Sequence, residues 1–145
     1  MVYKIYLAGG WSFRKEIDEI RKDVLATGFE VCSHWTDREN GKTTSSALSD
    51  DAIEDFREIS ECNFLVAIMT DKKYEYRGCF TEIGYAIGNE RRVVIVCDGV
   101  ETRDGDISTY THHCMTNVFY WHPSIRRFKT VADALKFLEV ARNDE

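Results

Sequence analysis

Phe64-Leu65-Val66-Ala67-Ile68-Met69 is an apolar run without a polar interruption, and Val93-Val94-Ile95-Val96-Cys97, after Arg92, is a second. A strand with one wet face would alternate, so short continuous runs of this kind read as strands buried on both faces. Between them the chain has room for a loop and one helix, which carries Arg77-Gly78-Cys79-Phe80-Thr81-Glu82-Ile83-Gly84-Tyr85-Ala86. On a helical period Phe80, Ile83, Gly84 and Ile87 share a face, and Glu82 falls beside it in the expected first turn. Free backbone amides and the helix dipole favour negative charge there, so an ionised carboxylate is expected, able to serve as a nucleophile or a base. An acid placed only to complement the dipole carries the same signature.

Composition bounds the partners. A chain of 145 residues with 43% hydrophobic content reads as one domain with a full core. Its net charge of −6, with signs interspersed and no basic run, argues against a nucleic-acid polymer and leaves a single nucleotide open. No apolar stretch reaches membrane length and the N-terminus shows no signal pattern, so a soluble, cytoplasmic protein without a membrane partner is expected. The five cysteines are scattered and form no C-x-x-C pair, which suggests neither a disulfide framework nor a zinc site. His112 and His113 are adjacent, point apart on any regular backbone and have no third ligand at metal spacing, so no metal is expected there.

Taken in order, Val2 to Ala8 reads as a strand leading into Gly9-Gly10-Trp11-Ser12. Ser12 is the expected N-cap of a helix with Phe13, Ile17, Ile20, Val24 and Leu25 inward, which Gly28 ends. The glycines could bring backbone close to a ligand and the helix start could hold a phosphate or carboxylate, although an ordinary tight turn uses the same pair. G-x-G-x-x-G and the Walker pattern are absent, which weakens dinucleotide and triphosphate readings. Phe29 to Cys32 reads as a second strand. His34 to Ser49 is polar, with an Asn40-Gly41 turn signal, and reads as a candidate lid. Asp50 or Asp51 is the expected cap of a helix with Ala52, Ile53, Phe56 and Ile59 buried and Glu54, Arg57 and Glu58 facing water. Asp55 lies at the edge of that stripe, either a solvated acid or a group aimed into a cleft. Val118-Phe119-Tyr120-Trp121 reads as the fifth strand, and Thr130 caps a last helix with Val131, Leu135 and Leu138 inward.

Alternating strands and helices predict a three-layer α/β domain: a flavodoxin/Rossmann-like, five-stranded parallel sheet in the order 2-1-3-4-5 with helices on both faces. Ligands in such sheets bind beyond the carboxyl ends of the strands where the order reverses, here between the first and third. Gly9 to Ser12 and Tyr74 to Glu82 follow those two strands. The predicted pocket therefore gathers Tyr6, Gly9, Gly10, Trp11, Asp55 and Glu82, aromatic faces beside carboxylates, which suits a flat hydrogen-bonding ring attached to a sugar.

These residues resemble the nucleoside 2-deoxyribosyltransferase family. Tyr6-Leu7-Ala8-Gly9-Gly10-Trp11 is similar to its Tyr-x-(Ala/Gly)-(Gly/Ala)-Gly-Trp start. The Asp55 helix running into the Phe64 strand is similar to its Asp-x-x-x-(Ile/Leu) segment. Gly78-x-x-x-Glu82-Ile83-Gly84-Tyr85-Ala86 is similar to its Gly-x-x-x-Glu-(Leu/Ile)-Gly-Tyr-Ala signature, the most specific of the three. The resemblance implies that Glu82 attacks the anomeric carbon and expels the base, that Asp55 positions or protonates that base, and that Tyr6 stands beside the nucleophile. It also implies substrate contacts at Gly9, Gly10, Trp11, Ser12, Tyr76, Arg77 and Gly78, a nucleoside or nucleotide and a free nucleobase as partners, no cofactor, and a homo-oligomer, for which Phe119, Tyr120, Trp121 and Phe128 could supply an apolar patch.

The sequence departs from the family pattern before Glu82, where classical transferases carry a further acidic residue and this chain has Tyr76 and Arg77. Related glycosidases of deoxynucleoside 5'-monophosphates place serines and arginines near the glycine turn and the glutamate, and Ser12, Arg14 and Arg77 could serve so here. Transfer and hydrolysis both stay open. Readings from other classes are a glycohydrolase cleaving NAD on a similar sheet, a catalytically silent nucleotide-binding module, and a receiver domain, which the absence of an aspartate ending the third strand weakens.

Overall fold

The computed structural model describes residues 2–39 and 42–144. Five strands, β1 Lys4–Ala8, β2 Glu30–Val31, β3 Phe64–Ile68, β4 Arg92–Val96 and β5 Arg126–Phe128, form one parallel sheet in the order β2-β1-β3-β4-β5. The predicted fold class and strand order are those observed. Every residue of β3 is buried, and its register sets Leu65 between Tyr6 of β1 and Val93 of β4, so the apolar runs lie side by side at the centre. Burial of both faces is what made these runs continuous.

Four helices cover the sheet: α1 Arg14–Ala26, α2 Ser45–Glu61, α3 Arg77–Gly88 and α4 Val131–Asn143. Right-handed crossovers require α1 on the face opposite α2 and α3. The contacts agree: Phe56 of α2 stacks on Tyr85 of α3 at 4.1 Å between ring centroids, whereas Arg142 of α4 donates to the Thr27 carbonyl at the end of α1 (3.3 Å). No helix among the described residues is long and apolar enough to cross a membrane.

Several expected boundaries move, each for a local reason. Val118–Trp121 is a 3-10 turn, not a strand, because the Asn117 side chain accepts the Phe119 amide (2.9 Å) and caps it. The fifth strand is instead Arg126–Phe128, with the Arg127 guanidinium tied to the Tyr120 carbonyl (2.7 Å). Ser12 is not a helix cap: it lies exposed inside a 3-10 turn, Trp11–Phe13, closed by the Phe13 amide on the Gly10 carbonyl (2.9 Å), and α1 begins after that turn. Leu25 faces solvent on α1, while Gly28 closes the helix at φ +95° as expected. Helix α2 starts before Asp50 and Asp51, because Thr44 accepts the Ala47 amide (3.2 Å) and takes the cap. The candidate lid is correspondingly shorter and includes a 3-10 turn at Trp35–Asp37. The Asn40-Gly41 turn signal lies outside the described residues.

Candidate active site

Half of the expected apolar stripe of α2 is buried as predicted, Ile59 fully and Phe56 packed on the core, and the other half is not. Ala52 and Ile53 are exposed, Ile53 at 65%, whereas Glu58, expected in water, is 4% exposed. The turns facing β1 and β2 instead present Asp51, Asp55 and Glu58, one or two helical turns apart. Carboxylates survive there because each has a partner. Both Glu58 oxygens are used, one by the His34 amide (3.2 Å) and one by His34 Nδ1 (2.5 Å). Arg38 grips Asp55 with both guanidinium nitrogens, at 2.8 and 3.3 Å, and also reaches Glu54 (2.9 Å) and Asp51 (3.3 Å). A bidentate clamp of this kind fixes the orientation of a carboxylate as well as its charge.

A cavity of about 700 Å³ opens at the carboxyl ends of β1 and β3, and Glu82, Asp55, Arg38, Trp11 and Trp35 all line it. Glu82 sits in the second turn of α3, not the first, since the helix begins at Arg77. Its carboxylate is held across the sheet by the Tyr6 hydroxyl, which donates to Oε2. Tyr6 is fully buried, and burial, then the nearby Glu82 charge, keep its phenol protonated as a donor. The same burial pushes Glu82 up to about 8; the Tyr6 hydrogen bond works against that rise, and the Asp55 charge adds to it. The carboxylate expected to stay ionised on helix-end amides is therefore a half-buried acid whose proton is held near neutrality, because desolvation outweighs the Tyr6 hydrogen bond. Burial raises Asp55 as well, opposed by Arg38.

The glycine turn is shaped first by the protein itself. A Cβ on Gly9 would stand 1.9 Å from Ile17 Cδ1, and one on Gly10 would stand 2.7 Å from the Tyr74 ring. The absent side chains let α1 and the Tyr74 loop close on the strand end, and both glycines still line the cavity. Tyr76, the residue before α3, adopts φ +53°, unusual for a bulky side chain, and is locked by the Asp71 amide donating to its hydroxyl (2.9 Å) and by the Tyr74 ring at 4.8 Å. That strained turn aims Arg77 and Gly78 at the cavity mouth, where Arg77 pairs with Glu75 (2.5 Å).

Of the predicted site residues, Glu82, Asp55, Gly9, Gly10, Trp11, Tyr76, Arg77 and Gly78 line the cavity, and Tyr6 lies beneath it on Glu82. Ser12 is outside the lining, and Arg14 rests on the Trp11 ring (4.6 Å) with a bond to the Trp11 carbonyl (3.2 Å). The sequence reading missed Arg38, Trp35 and Lys73. Trp35 is buried and donates to the Leu7 carbonyl (2.7 Å), bringing its ring within 6.3 Å of Trp11. A tryptophan and an arginine just past a short strand were the available signal; they read as loop because no periodicity surrounds them.

With this geometry in hand, comparison with known proteins is direct. No curated protein sequence matches the chain significantly. Among solved structures it is similar to a conserved protein from Enterococcus faecalis (TM-score 0.69, 18% identity, 97% of this chain and 99% of that one). It is similar to a 2-deoxyribosyltransferase from Bacillus psychrosaccharolyticus (0.64, 16%, 91% and 90%) and to a CMP N-glycosidase from Clostridium botulinum (0.57, 15%, 94% and 98%). At these identities the likeness concerns the fold. The family profile "Nucleoside 2-deoxyribosyltransferase" matches residues 5–118, from β1 through the whole cavity lining and beyond β4, and the chain accordingly belongs to that family of enzymes.

Proposed function

We propose that this protein cleaves the N-glycosidic bond of a (2'-deoxy)nucleoside or its monophosphate through a covalent glycosyl-Glu82 intermediate and passes the sugar to another base. The observation that carries the reading is Glu82 on the cavity wall, bonded to a buried tyrosine hydroxyl, with a clamped aspartate lining the same space. As the carbon–nitrogen bond breaks, positive charge builds on the sugar, and a carboxylate in a poorly solvated wall stabilises it strongly. One Glu82 oxygen forms the ester to the anomeric carbon, while Tyr6 holds the other and limits its motion. The bond electrons go to the departing base, which Asp55 positions or protonates. A second base then attacks the glycosyl ester and frees Glu82. Trp11 and Trp35 supply flat faces for the heterocycle.

Hydrolysis of a nucleoside 5'-monophosphate is the second reading. It is favoured by Lys73 at the mouth and by Arg77, which a phosphate would draw from its pairing with Glu75 beside the start of α3. Water would then take the place of the second base. A homo-oligomer finds its support in exposed apolar side chains on two surfaces, Leu48 and Ile53 on α2 and Val118 and Phe119 near the C-terminus, whereas Tyr120 is buried.

The test is to incubate the protein with each 2'-deoxynucleoside and its 5'-monophosphate, with and without a second free base, beside Glu82→Ala. Base released by wild type alone supports the glycosidic reading, and a new nucleoside formed only with the second base makes it a transferase. No release from any substrate would sink it in favour of the silent binding module.

A further inference from the structure

The histidine pair divides between water and core. His113 is exposed, whereas His112 is buried with Cys97 and Cys114, none of the three more than 4% exposed. Cys97 follows β4 directly, and the other two belong to the irregular stretch between Asp98 and Ile125. Cys97 Sγ lies 3.8 Å from Cys114 Sγ and 3.7 Å from His112 Nδ1, and all three donor atoms fall within 4.8 Å of one another.

We propose that Cys97, His112 and Cys114 form a buried site for a tetrahedral, thiophilic divalent cation, zinc by its ligand class. Zinc–sulfur bonds of about 2.3 Å and zinc–nitrogen bonds of about 2.0 Å at tetrahedral angles put sulfurs about 3.8 Å apart and sulfur about 3.5 Å from nitrogen. The sulfur–sulfur separation equals that edge, the Cys97–His112 separation of 3.7 Å is close to it, and the Cys114–His112 edge, within 4.8 Å, would have to draw in on binding. The surroundings match as well. His112 Nε2 faces Asp98 Oδ1 at 3.2 Å, a carboxylate that would fix the ring with Nδ1 toward the metal. Gly99 has no room for a side chain, because a Cβ would meet Met115 Cε at 2.4 Å. For the fourth position the Met69 carbonyl, 3.9 Å from Cys114 Sγ, offers an oxygen at the end of β3.

Such a site would fasten a long segment of loop and short 3-10 turns to the central strands. It would also back the loop between β3 and α3, because the His113 amide donates to the Lys72 carbonyl (2.9 Å). Binding releases the thiol protons, so the cation is held as a bis-thiolate complex.

Metal analysis of the protein purified without chelator, followed by titration of the chelated protein with cobalt(II), tests this. We expect about one zinc per chain and a near-ultraviolet thiolate-to-cobalt charge-transfer band, both lost in Cys97→Ser/Cys114→Ser and both retained in Cys32→Ala. Chelation should lower Tm by several degrees, and added zinc should restore it. If the double variant does not fold, Cys114→Ala is read instead, with the band reduced by about half. Absence of both zinc and the cobalt band in wild type overturns the site, as does a Cys97–Cys114 disulfide in the freshly purified protein. Because the readout is metal content and absorption, its failure leaves the catalytic reading of Glu82 untouched.

Discussion

Two clusters of ionisable side chains stand on the carboxyl edge of the same sheet, one around Glu82 beyond β1 and β3 and one around Cys97 beyond β4. The first opens into a cavity, and its acids are held by single partners that leave an oxygen or a lone pair to spare. The second is closed, and its histidine has a neighbour on each ring nitrogen, Cys97 and Asp98. Reactivity requires unspent capacity reachable by substrate, whereas framework requires that capacity be satisfied internally. Strand order decides which cluster receives the crevice: the order in which strands are added reverses between the parallel neighbours β1 and β3, so their following loops part, while the segment after β4 folds back over its own strand end.

If that contrast is right, Glu82→Ala should abolish base release, by roughly a thousandfold or more, while leaving the fold intact by circular dichroism. Retained turnover would break the comparison at its centre. Asp55→Asn should cost on the order of a hundredfold, and less with a substrate whose base departs readily unprotonated; equal losses on both substrates would make Asp55 a binding group only. In the pH profile of kcat/KM, activity should rise as Glu82 ionises and level off above about 8. Tyr6→Phe removes the bond that lowers this value, so the rising limb should move to higher pH with a rate loss of about tenfold. The closed cluster should answer differently, with Cys97→Ser costing about 1–3 kcal/mol of stability and changing kcat by no more than about threefold.

The smallest effect concerns stability alone. Glu82 has a folded value near 8 against 4.5 ordinarily, so its contribution to stability is full below about 4.5 and lost as pH rises through 8. Glu82→Gln should therefore raise Tm by a few degrees at pH 8 to 9 and by little at pH 5, which paired melting curves would show.

How far these features could be read beforehand depended on whether their cause was local. β3 and β4 were legible because burial on both faces leaves no polar residue in the run, and Thr130 was legible as a cap because it bonds an amide three residues away. β5 was not, because a short edge strand carries Arg126 and Arg127, whose guanidinium groups stand over the Phe137 and Trp121 rings. On α2 the burial of Phe56 and Ile59 was legible, and the inward turn of Glu58 was missed for a related reason. Helical periodicity assumes that the inward stripe is apolar, and here Arg38 and His34, remote in sequence, satisfy an acidic one.

By itself the amino-acid order determined the parallel sheet, its strand sequence, the place of the crevice and the identity of Glu82, Asp55 and Tyr6 as its candidate groups. These follow from side-chain periodicity, chain handedness and short spacings, which are properties of neighbouring residues. Only the tertiary structure decided that Glu82 holds its proton to about 8, that Arg38 clamps Asp55, and that Cys97, His112 and Cys114 meet. Desolvation and pairing depend on what the rest of the chain packs around a group, and the residues that supply it here lie in other elements of the chain.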